Sequence, residues 1–165
     1  MKNEKLIVKN SRGMGLIEIL IVLAILGIGF LAIISFLIFS RGISHQTVRS
    51  TEATSLAEEG VEAVRRLRDQ SWSGNIADKA VATNYYLVIS GGSWTLSASN
   101  PGVINNLYTR TVRFDNVYRD GSNNISSSGN LDPNTKKLTV RVSWQEGSRN
   151  KEVVLTTYIT NFLNN

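Results

Sequence analysis

Apolar residues dominate the chain from Ile19 to Phe39, where 21 consecutive positions contain no Asp, Glu, Lys or Arg. A helix rises about 1.5 Å per residue, so this run forms a helix roughly 30 Å long, enough to cross the hydrocarbon core of a bilayer. The residues before it are basic, with Lys2, Lys5, Lys9 and Arg12 against Glu4. This positive leader favours retention of the N-terminus on the cytoplasmic side. The pattern predicts one membrane-spanning helix.

The helical pattern continues after Phe39 but becomes amphipathic, from Ile43 to about Asp69. Apolar or small residues recur three and four positions apart, and charged residues occupy the other faces. This stripe predicts that the outer part of one long helix packs on the rest of the protein. Gly60 lies on it and allows a strand to approach closely. The stripe consists of Ala53, Ala57, Val61, Val64 and Leu67.

The periodicity changes from 3.6 to 2 after an irregular connection at residues 70–83, in which we expect Trp72 to be an anchor. Alternation predicts strands at 85–89 and 94–96, joined by a Ser-Gly-Gly-Ser turn, and at 108–114. A final hairpin is predicted at 138–144 and 152–158. We expect it to be central in an antiparallel sheet, with Trp144 buried beside Val140, Val142 and Leu155.

These elements predict an α+β fold, in which a long N-terminal helix packs its amphipathic half on a small antiparallel β-sheet head. The division we predict is a leader at 1–13, a membrane or filament-core helix at 14–39, an amphipathic helix at 40–70 and a β head at 71–165. The segment 120–135 is rich in Gly, Ser and Asn and is predicted to be an exposed loop.

Composition narrows the possible functions. The net charge of the 165 residues is +5, but the leader contributes +3 of it, which argues against nucleic-acid binding by the remainder. The chain has no cysteine, and its one histidine is His45. A zinc site of the usual type and a Ser-His-Asp triad are therefore not indicated. We expect a protein that is not an enzyme and that has no cofactor and no bound metal.

A motif straddles the start of the apolar run, where Ser11-Arg12-Gly13 is followed by MGLIEIL. No small-residue cleavage site of the secretory type follows Phe39. This combination of basic leader, glycine, glutamate and apolar helix resembles the cleavage and methylation signature of type IV pilins and pseudopilins. The resemblance implies cleavage by prepilin peptidase between Gly13 and Met14, N-methylation of Met14, and a role for Glu18 in assembly.

Glu18 also stands out on physical grounds, because an ionised carboxylate inside an apolar helix costs up to a few kcal/mol. Near the end of a membrane helix it can still reach the headgroups. In a bundle of apolar helices it needs a cation, and the amino terminus at Met14 of a neighbouring subunit can supply one. Glu18 is therefore predicted to pair with that neighbour.

The resemblance implies a structural subunit of a type IV pilus or of a related type II secretion or DNA-uptake pseudopilus. The C-terminal hairpin is similar to the ending of minor pilins, which favours a minor subunit. The implied partners are the prepilin peptidase and N-methyltransferase, other pilin or pseudopilin subunits, and the inner-membrane assembly platform. The implied location is the inner membrane, as a single-pass precursor with the head outside the cytoplasm, and then a filament.

Two other interpretations remain open at this stage. The helix could be only a signal anchor for an extracytoplasmic binding module. Alternatively, a competence pseudopilin could contact DNA if its basic residues cluster into a patch. The candidates for that patch are Arg110, Arg113, Arg119, Lys136, Lys137, Arg141 and Arg149.

The segment 120–135 contains two weaker patterns. Asp120, Ser122 and Asn124 alternate as at the start of a calcium loop, although the further carboxylates of such a loop are missing. Asn124-Ile125-Ser126 matches a glycosylation sequon. The sequence leaves both possibilities open.

Overall fold

The structure, a computed structural model, describes residues 14–165, except for the side chains of Met14 and of residues 42–45. Its first element is helix α1, Met14–Gln70. Contacts divide the chain into two compact units, one ending at Thr47 and the other spanning Val48–Asn165. The helix therefore contributes to both units, and each unit is described by itself below.

The second unit contains an antiparallel sheet of six strands. Its main path has the order β2-β1-β3-β5-β6, and the short β4 pairs with β3 outside that path. Together with helix α1 this is an α+β fold, so the predicted fold class is confirmed. The strands are β1 Asn84–Ser90, β2 Ser93–Ser97, β3 Thr109–Arg119, β4 Ile125–Ser126, β5 Asn130–Glu146 and β6 Arg149–Thr160.

The outer part of α1 packs its small-residue stripe on one face of this sheet. All five stripe residues predicted from the spacing are buried, as are the inward positions of β3 and β5 opposite them. Alanines at two stripe positions allow the helix to come close to the strands. The core contains Ala53, Ala57, Val61, Val64 and Leu67 from α1 and Val112, Phe114, Leu138, Val140 and Val142 from the sheet.

Gly60 marks the closest approach of the helix to the sheet. A Cβ atom placed there would lie 2.8 Å from Cγ1 of Val140 and 3.1 Å from Cδ of Arg110. Real Cβ atoms do not approach other atoms this closely, so only glycine fits without a shift. The close contact with a strand predicted at this position is confirmed.

The C-terminal hairpin is present, but its place in the sheet differs from the prediction. β5 lies between β3 and β6, whereas β6 is an edge strand with no partner on its other side. Trp144 is buried with 5% of its surface exposed, beside the buried Val140 and Val142. Leu155 is only half-buried, because it lies on the edge strand. Alternation shows which face of a strand is inward, but not how many neighbours the strand has.

The prediction of a continuous loop at 120–135 is wrong in part. Ile125 and Ser126 form β4, and β5 begins at Asn130, where residues 130–132 pair with 117–119 of β3. A register shift after Asn116 leaves Pro133 outside that pairing. Strands can form here because pairing uses backbone groups, so a polar edge segment needs no apolar pattern.

The connection after α1 also contains more regular structure than predicted. Ser73–Ala77 form a π-helical turn rather than an irregular segment. Trp72 is buried, as predicted for an anchor, and Ile76 is fully buried beside it in the core. The strand predicted at 108–114 continues to Arg119.

Candidate functional site

The N-terminal part of α1 carries the residues to which the sequence assigns processing and assembly. Leu16 to Phe39 are exposed throughout, and their large apolar side chains leave between 38% and 70% of their surface uncovered. An 18-residue window of this helix has a mean hydropathy of 3.0. The helix is thus long and apolar enough to cross a membrane, and nothing within the described chain covers it.

Glu18 is the one charged side chain in this apolar surface. It is exposed, and its neighbours Ile17 and Ile19 are exposed as well. Along the described part of the helix, the next charged residue is Arg41, about 35 Å away at the usual helical rise. Glu18 therefore has no cationic side chain within reach on the described part of its own helix.

The other predicted processing residues fall at the boundary of the described chain. Gly13 and the rest of the leader lie outside the described residues, and α1 begins at Met14. The backbone of Met14 is about 6 Å from Glu18 along the helix axis. Helix N-termini also carry unpaired N–H groups and a partial positive charge. The side chain of His45 lies outside the described residues.

In the head, Arg110 on β3 is buried beneath α1 with 6% of its surface exposed. Its Nη1 donates to the carbonyl oxygen of Leu56 at 2.9 Å and to Oε2 of Glu59 at 3.0 Å. Its guanidinium carbon lies 5.3 Å from the centre of the Trp94 ring. Because a buried cation is costly unless it is paired, these contacts define one position of helix against sheet.

A second polar contact lies further toward the start of the head. The hydroxyl of Tyr108 donates to Oε2 of Glu52 at 2.9 Å, and Nδ2 of Asn105 donates to the other oxygen of that carboxylate at 2.8 Å. Burial of the phenol, followed by this hydrogen bond and the charge of Glu52, raises the pKa of Tyr108 to about 12. Arg49 adds an ion pair to Glu146 at 3.4 Å.

Sequence reasoning missed both of these contacts between α1 and the sheet. Arg110 was assigned to a surface patch, although it occupies an inward position of a strand that alternates Tyr108, Arg110, Val112, Phe114. A charged residue at an inward position signals a buried partner, and that signal was available. The identity of the partner, Glu59, depends on how the helix lies on the sheet and could not be read from the pattern.

The proposed basic patch is not formed as the sequence suggested. Arg110 is buried, and three other arginines have acidic partners: Arg113 with Asp115, Arg119 with Asp132 and Arg141 with Glu152. Nζ of Lys136 donates to Oδ1 of Asn116. Four of the seven candidate residues thus have an acidic partner within the head, and one of these four, Arg110, is buried.

The 120–124 turn is closed by its own hydrogen bonds. Oδ1 of Asp120 accepts the backbone N–H groups of Ser122 and Asn124, both at 2.9 Å. The hydrogen bond from Asn124 is the main cause of a pKa for Asp120 below its usual value. The neighbouring Arg119 bonds the carbonyl of Asn123. Among the side chains that the structure describes, which do not include His45, no group of three or more Asp or Glu residues could hold a metal.

Comparison with known proteins gives one match. Residues 8–38 match the family model of the prokaryotic N-terminal methylation motif. Neither the curated proteins nor the solved structures gave a match. The matched segment contains Gly13, Met14 and Glu18 together with most of the exposed apolar helix.

The matched segment covers 31 of the 165 residues, and the match agrees with the resemblance of this N-terminal motif to that of type IV pilins and pseudopilins. The motif implies processing by prepilin peptidase and association with a membrane. Proteins of this kind are generally structural rather than catalytic. The methylation motif and the exposed apolar helix thus indicate a pilin-like subunit that is processed at its N-terminus.

Proposed function

We propose that the protein is a structural subunit, most similar to a minor pilin or pseudopilin, of a type IV pilus or a related secretion or DNA-uptake pseudopilus. In this proposal residues 1–13 are a leader, 14–39 the membrane and filament-core helix, 40–70 the amphipathic helix and 71–165 the β head. Its partners are the prepilin peptidase and methyltransferase, other subunits and the inner-membrane platform. It performs no catalysis of its own.

The observation that carries the proposal is the isolated carboxylate of Glu18 within an exposed apolar helix surface. An apolar surface of this size needs either lipid or other apolar helices around it. In the membrane the carboxylate can reach the headgroups, but a helix bundle removes that route. Glu18 then requires a cation supplied by another chain.

The amino group released by cleavage before Met14 is a suitable cation. It lies about one helical turn from Glu18 in each subunit. A subunit displaced along the helix axis by that distance would bring its own amino terminus to the neighbour's carboxylate. Cleavage is then a precondition of assembly, because the uncut leader would occupy the place of the free amine.

The proposed path begins with a single-pass precursor in the inner membrane, with its head outside the cytoplasm. Cleavage between Gly13 and Met14 and methylation of Met14 follow. The mature subunit is then drawn into a filament through α1. The DNA-binding alternative has less support, because four of the seven candidate residues, namely Arg110, Arg113, Arg119 and Arg141, have acidic partners within the head.

The test is the Glu18→Leu variant, produced in a host that carries the rest of the assembly machinery. The membrane segment becomes more apolar, so insertion and cleavage should proceed and mass spectrometry should find a chain starting at Met14. Assembly should fail, because removing one member of a buried ion pair typically costs about 3–5 kcal/mol. The mature protein should remain in the membrane fraction after surface filaments are sheared off.

Two variants serve as controls. Ile19→Leu changes the adjacent residue without changing charge and should assemble as the wild type does. Gly13→Leu should leave the precursor uncut in the membrane. Equal amounts of Glu18→Leu and wild-type protein in sheared filaments would refute the assembly role of Glu18. A chain that keeps its leader in the native host would indicate a signal-anchored module instead.

A further inference from the structure

The two edges of the sheet are not equally protected. One edge is β2, which has only five residues. The other is β6, with twelve residues and no proline, paired with β5 along its whole length without a register shift. Proteins usually shorten, bend or block an exposed edge, because its unpaired backbone groups attract other strands. β6 is neither short nor bent and has no proline, and its charged residues, Arg149, Lys151 and Glu152, all lie near its start, so the stretch 153–160 carries no charge.

The hydrogen bonds at the end of β6 show which of its backbone groups face outward. The N–H of Asn161 donates to the carbonyl of Asn134 at 2.9 Å, which extends the β5–β6 ladder. In an antiparallel ladder, every second residue bonds to the partner strand. Counting back from Asn161, the residues that point their N–H and C=O groups away from β5 are Glu152, Val154, Thr156 and Tyr158.

A groove of about 460 Å³ lies beside this edge, between β6 and α1. Its apolar floor includes Val61 and Leu155, and Leu155 is only half-buried because no further strand covers it. A strand added to β6 would place alternate side chains over this floor. The free backbone edge and the groove thus form one continuous surface.

One of the two glutamates that line the groove has no cationic partner within the described residues. Glu62 forms an ion pair with Arg65, but Glu58 makes no hydrogen bond or ion pair with any other residue that the structure describes. An incoming strand that carries Lys or Arg opposite Glu58 would complement this charge. A strand with Asp or Glu there would be disfavoured by like-charge repulsion.

We propose that β6 and this groove bind an extended segment of a different protein, not of a second copy of this chain, as an additional strand of the sheet. The segment has apolar residues at alternate positions, which cover Val61 and Leu155, and a basic residue that meets Glu58. Main-chain hydrogen bonds to β6 supply affinity, and the groove and Glu58 supply selectivity. This interaction is separate from the pairing of Glu18, and it holds whether or not the chain assembles through α1.

The test uses the full chain in detergent micelles and two synthetic peptides of nine residues. Both alternate valine and threonine, and one valine is replaced by lysine in the first peptide and by glutamate in the second. Binding of the lysine peptide should slow backbone hydrogen exchange at Glu152, Val154, Thr156 and Tyr158. It should bind about two- to fivefold more tightly than the glutamate peptide, as for an exposed charge pair.

Two variants of Thr156 form the matched pair. Thr156→Pro removes one outward N–H and should weaken binding of the lysine peptide by about tenfold or more, whereas Thr156→Ala keeps that N–H and should bind as the wild type does. Proline is tolerated on an edge strand where its N–H would face solvent, so the fold should survive. Glu58→Lys should reverse the preference between the two peptides, and it does so without altering β6.

Several results would overturn the proposal. These are equal binding by Thr156→Pro and Thr156→Ala, slowed exchange only outside β6, or an unchanged peptide preference in Glu58→Lys. If Thr156→Pro fails to fold, the Glu58→Lys reversal still decides the outcome. Self-association of the wild-type chain that disappears in Thr156→Pro but not in Thr156→Ala would make the occupant a second copy, which contradicts the assignment to a different chain.

Discussion

The two parts of helix α1 meet opposite environments. From Leu16 to Phe39 large apolar side chains are exposed, whereas from Ala53 to Leu67 small and apolar side chains are buried against the sheet. The first part has leucine, isoleucine and phenylalanine on every face, and the second has a narrow stripe with charged residues on its other faces. One continuous helix is thus specified for two kinds of contact. The part from Leu16 to Phe39 has an apolar surface suited to lipid or to other helices, whereas the part from Ala53 to Leu67 packs on the sheet of its own chain.

This comparison predicts that the same type of mutation has different effects in the two parts of the chain. A residue that contacts the head core should change the free energy of unfolding of the head. A mutation on the exposed part of the helix should leave this free energy unchanged, because no described residue of the chain packs there.

The largest difference is expected for aromatic truncation. Trp144→Ala should lower the free energy of unfolding of the head by about 3–5 kcal/mol, because it removes a buried ring that packs on Tyr108 with ring centres 5.8 Å apart. Phe36→Ala, at a position that is 67% exposed, should lower it by less than about 0.5 kcal/mol. Chemical denaturation of the full chain in micelles, followed by tryptophan fluorescence or circular dichroism, measures both. Similar losses for the two variants would contradict the comparison.

Glycine-to-alanine changes provide a smaller and sharper contrast. At Gly60 the added Cβ would meet Val140 at 2.8 Å, and overpacking of this kind costs roughly 1–3 kcal/mol, against about 1 kcal/mol gained in helix propensity. We expect Gly60→Ala to destabilise the head by about 1 kcal/mol. At Gly27 nothing lies within 4 Å, so Gly27→Ala should leave head stability unchanged. The same denaturation experiment applies, and a gain of stability for Gly60→Ala would show that the helix can move away from the strand.

A third contrast concerns pH and tests how the folded head holds the proton of Tyr108. The folded head holds the proton of Tyr108 to a pKa of about 12, above the ordinary value of 10.0 for the unfolded chain. The unfolded chain therefore releases this proton first, and the resulting stability is present below pH 10 and lost as the pH rises toward 12.

Tyr108→Phe cannot lose this proton, so its stability should decline less steeply than that of the wild type between pH 10 and pH 12. Tyr158→Phe, at an exposed position, is the matched control and should keep the wild-type slope. The measurement is the denaturation midpoint as a function of pH. Parallel curves for wild type and Tyr108→Phe would mean that burial and the hydrogen bond to Glu52 do not hold the phenol proton in the folded head.

The carboxylate of Asp132 is stabilised by hydrogen bonds and by the charge of Arg119. Burial alone would raise the pKa of Asp132, but hydrogen bonds from Arg119, Thr135 and the Asn134 backbone outweigh it and lower the pKa. Arg119 and Asp132 join β3 to the early part of β5, at 2.6 Å, in the segment expected to be a loop. Polar residues in this segment therefore stabilise the pairing of β3 with β5, and the composition of the segment gave no sign of that role.

Features that depend on a short window of residues could be predicted from the amino-acid sequence alone. The apolar run, the motif around Gly13 and Glu18, the helical stripe, the strand alternation and the burial of Trp72 and Trp144 all depend on periods or residue types within a short window. Gly60 could be recognised as a close-contact position for the same reason. The period at which apolar residues recur indicates which face of a helix or strand is apolar. The residues on that face can therefore be predicted to be buried.

The contacts between elements, by contrast, are known only from the tertiary structure. It placed β6 at the edge of the sheet, buried Arg110 against Leu56 and Glu59, paired residues 130–132 with β3, and left Glu58 unpaired beside an open groove. These outcomes depend on residues that lie between about 10 and 100 positions apart in the chain. The free energy of each of these contacts depends on how closely two elements approach each other. That distance cannot be read from the residues of either element alone.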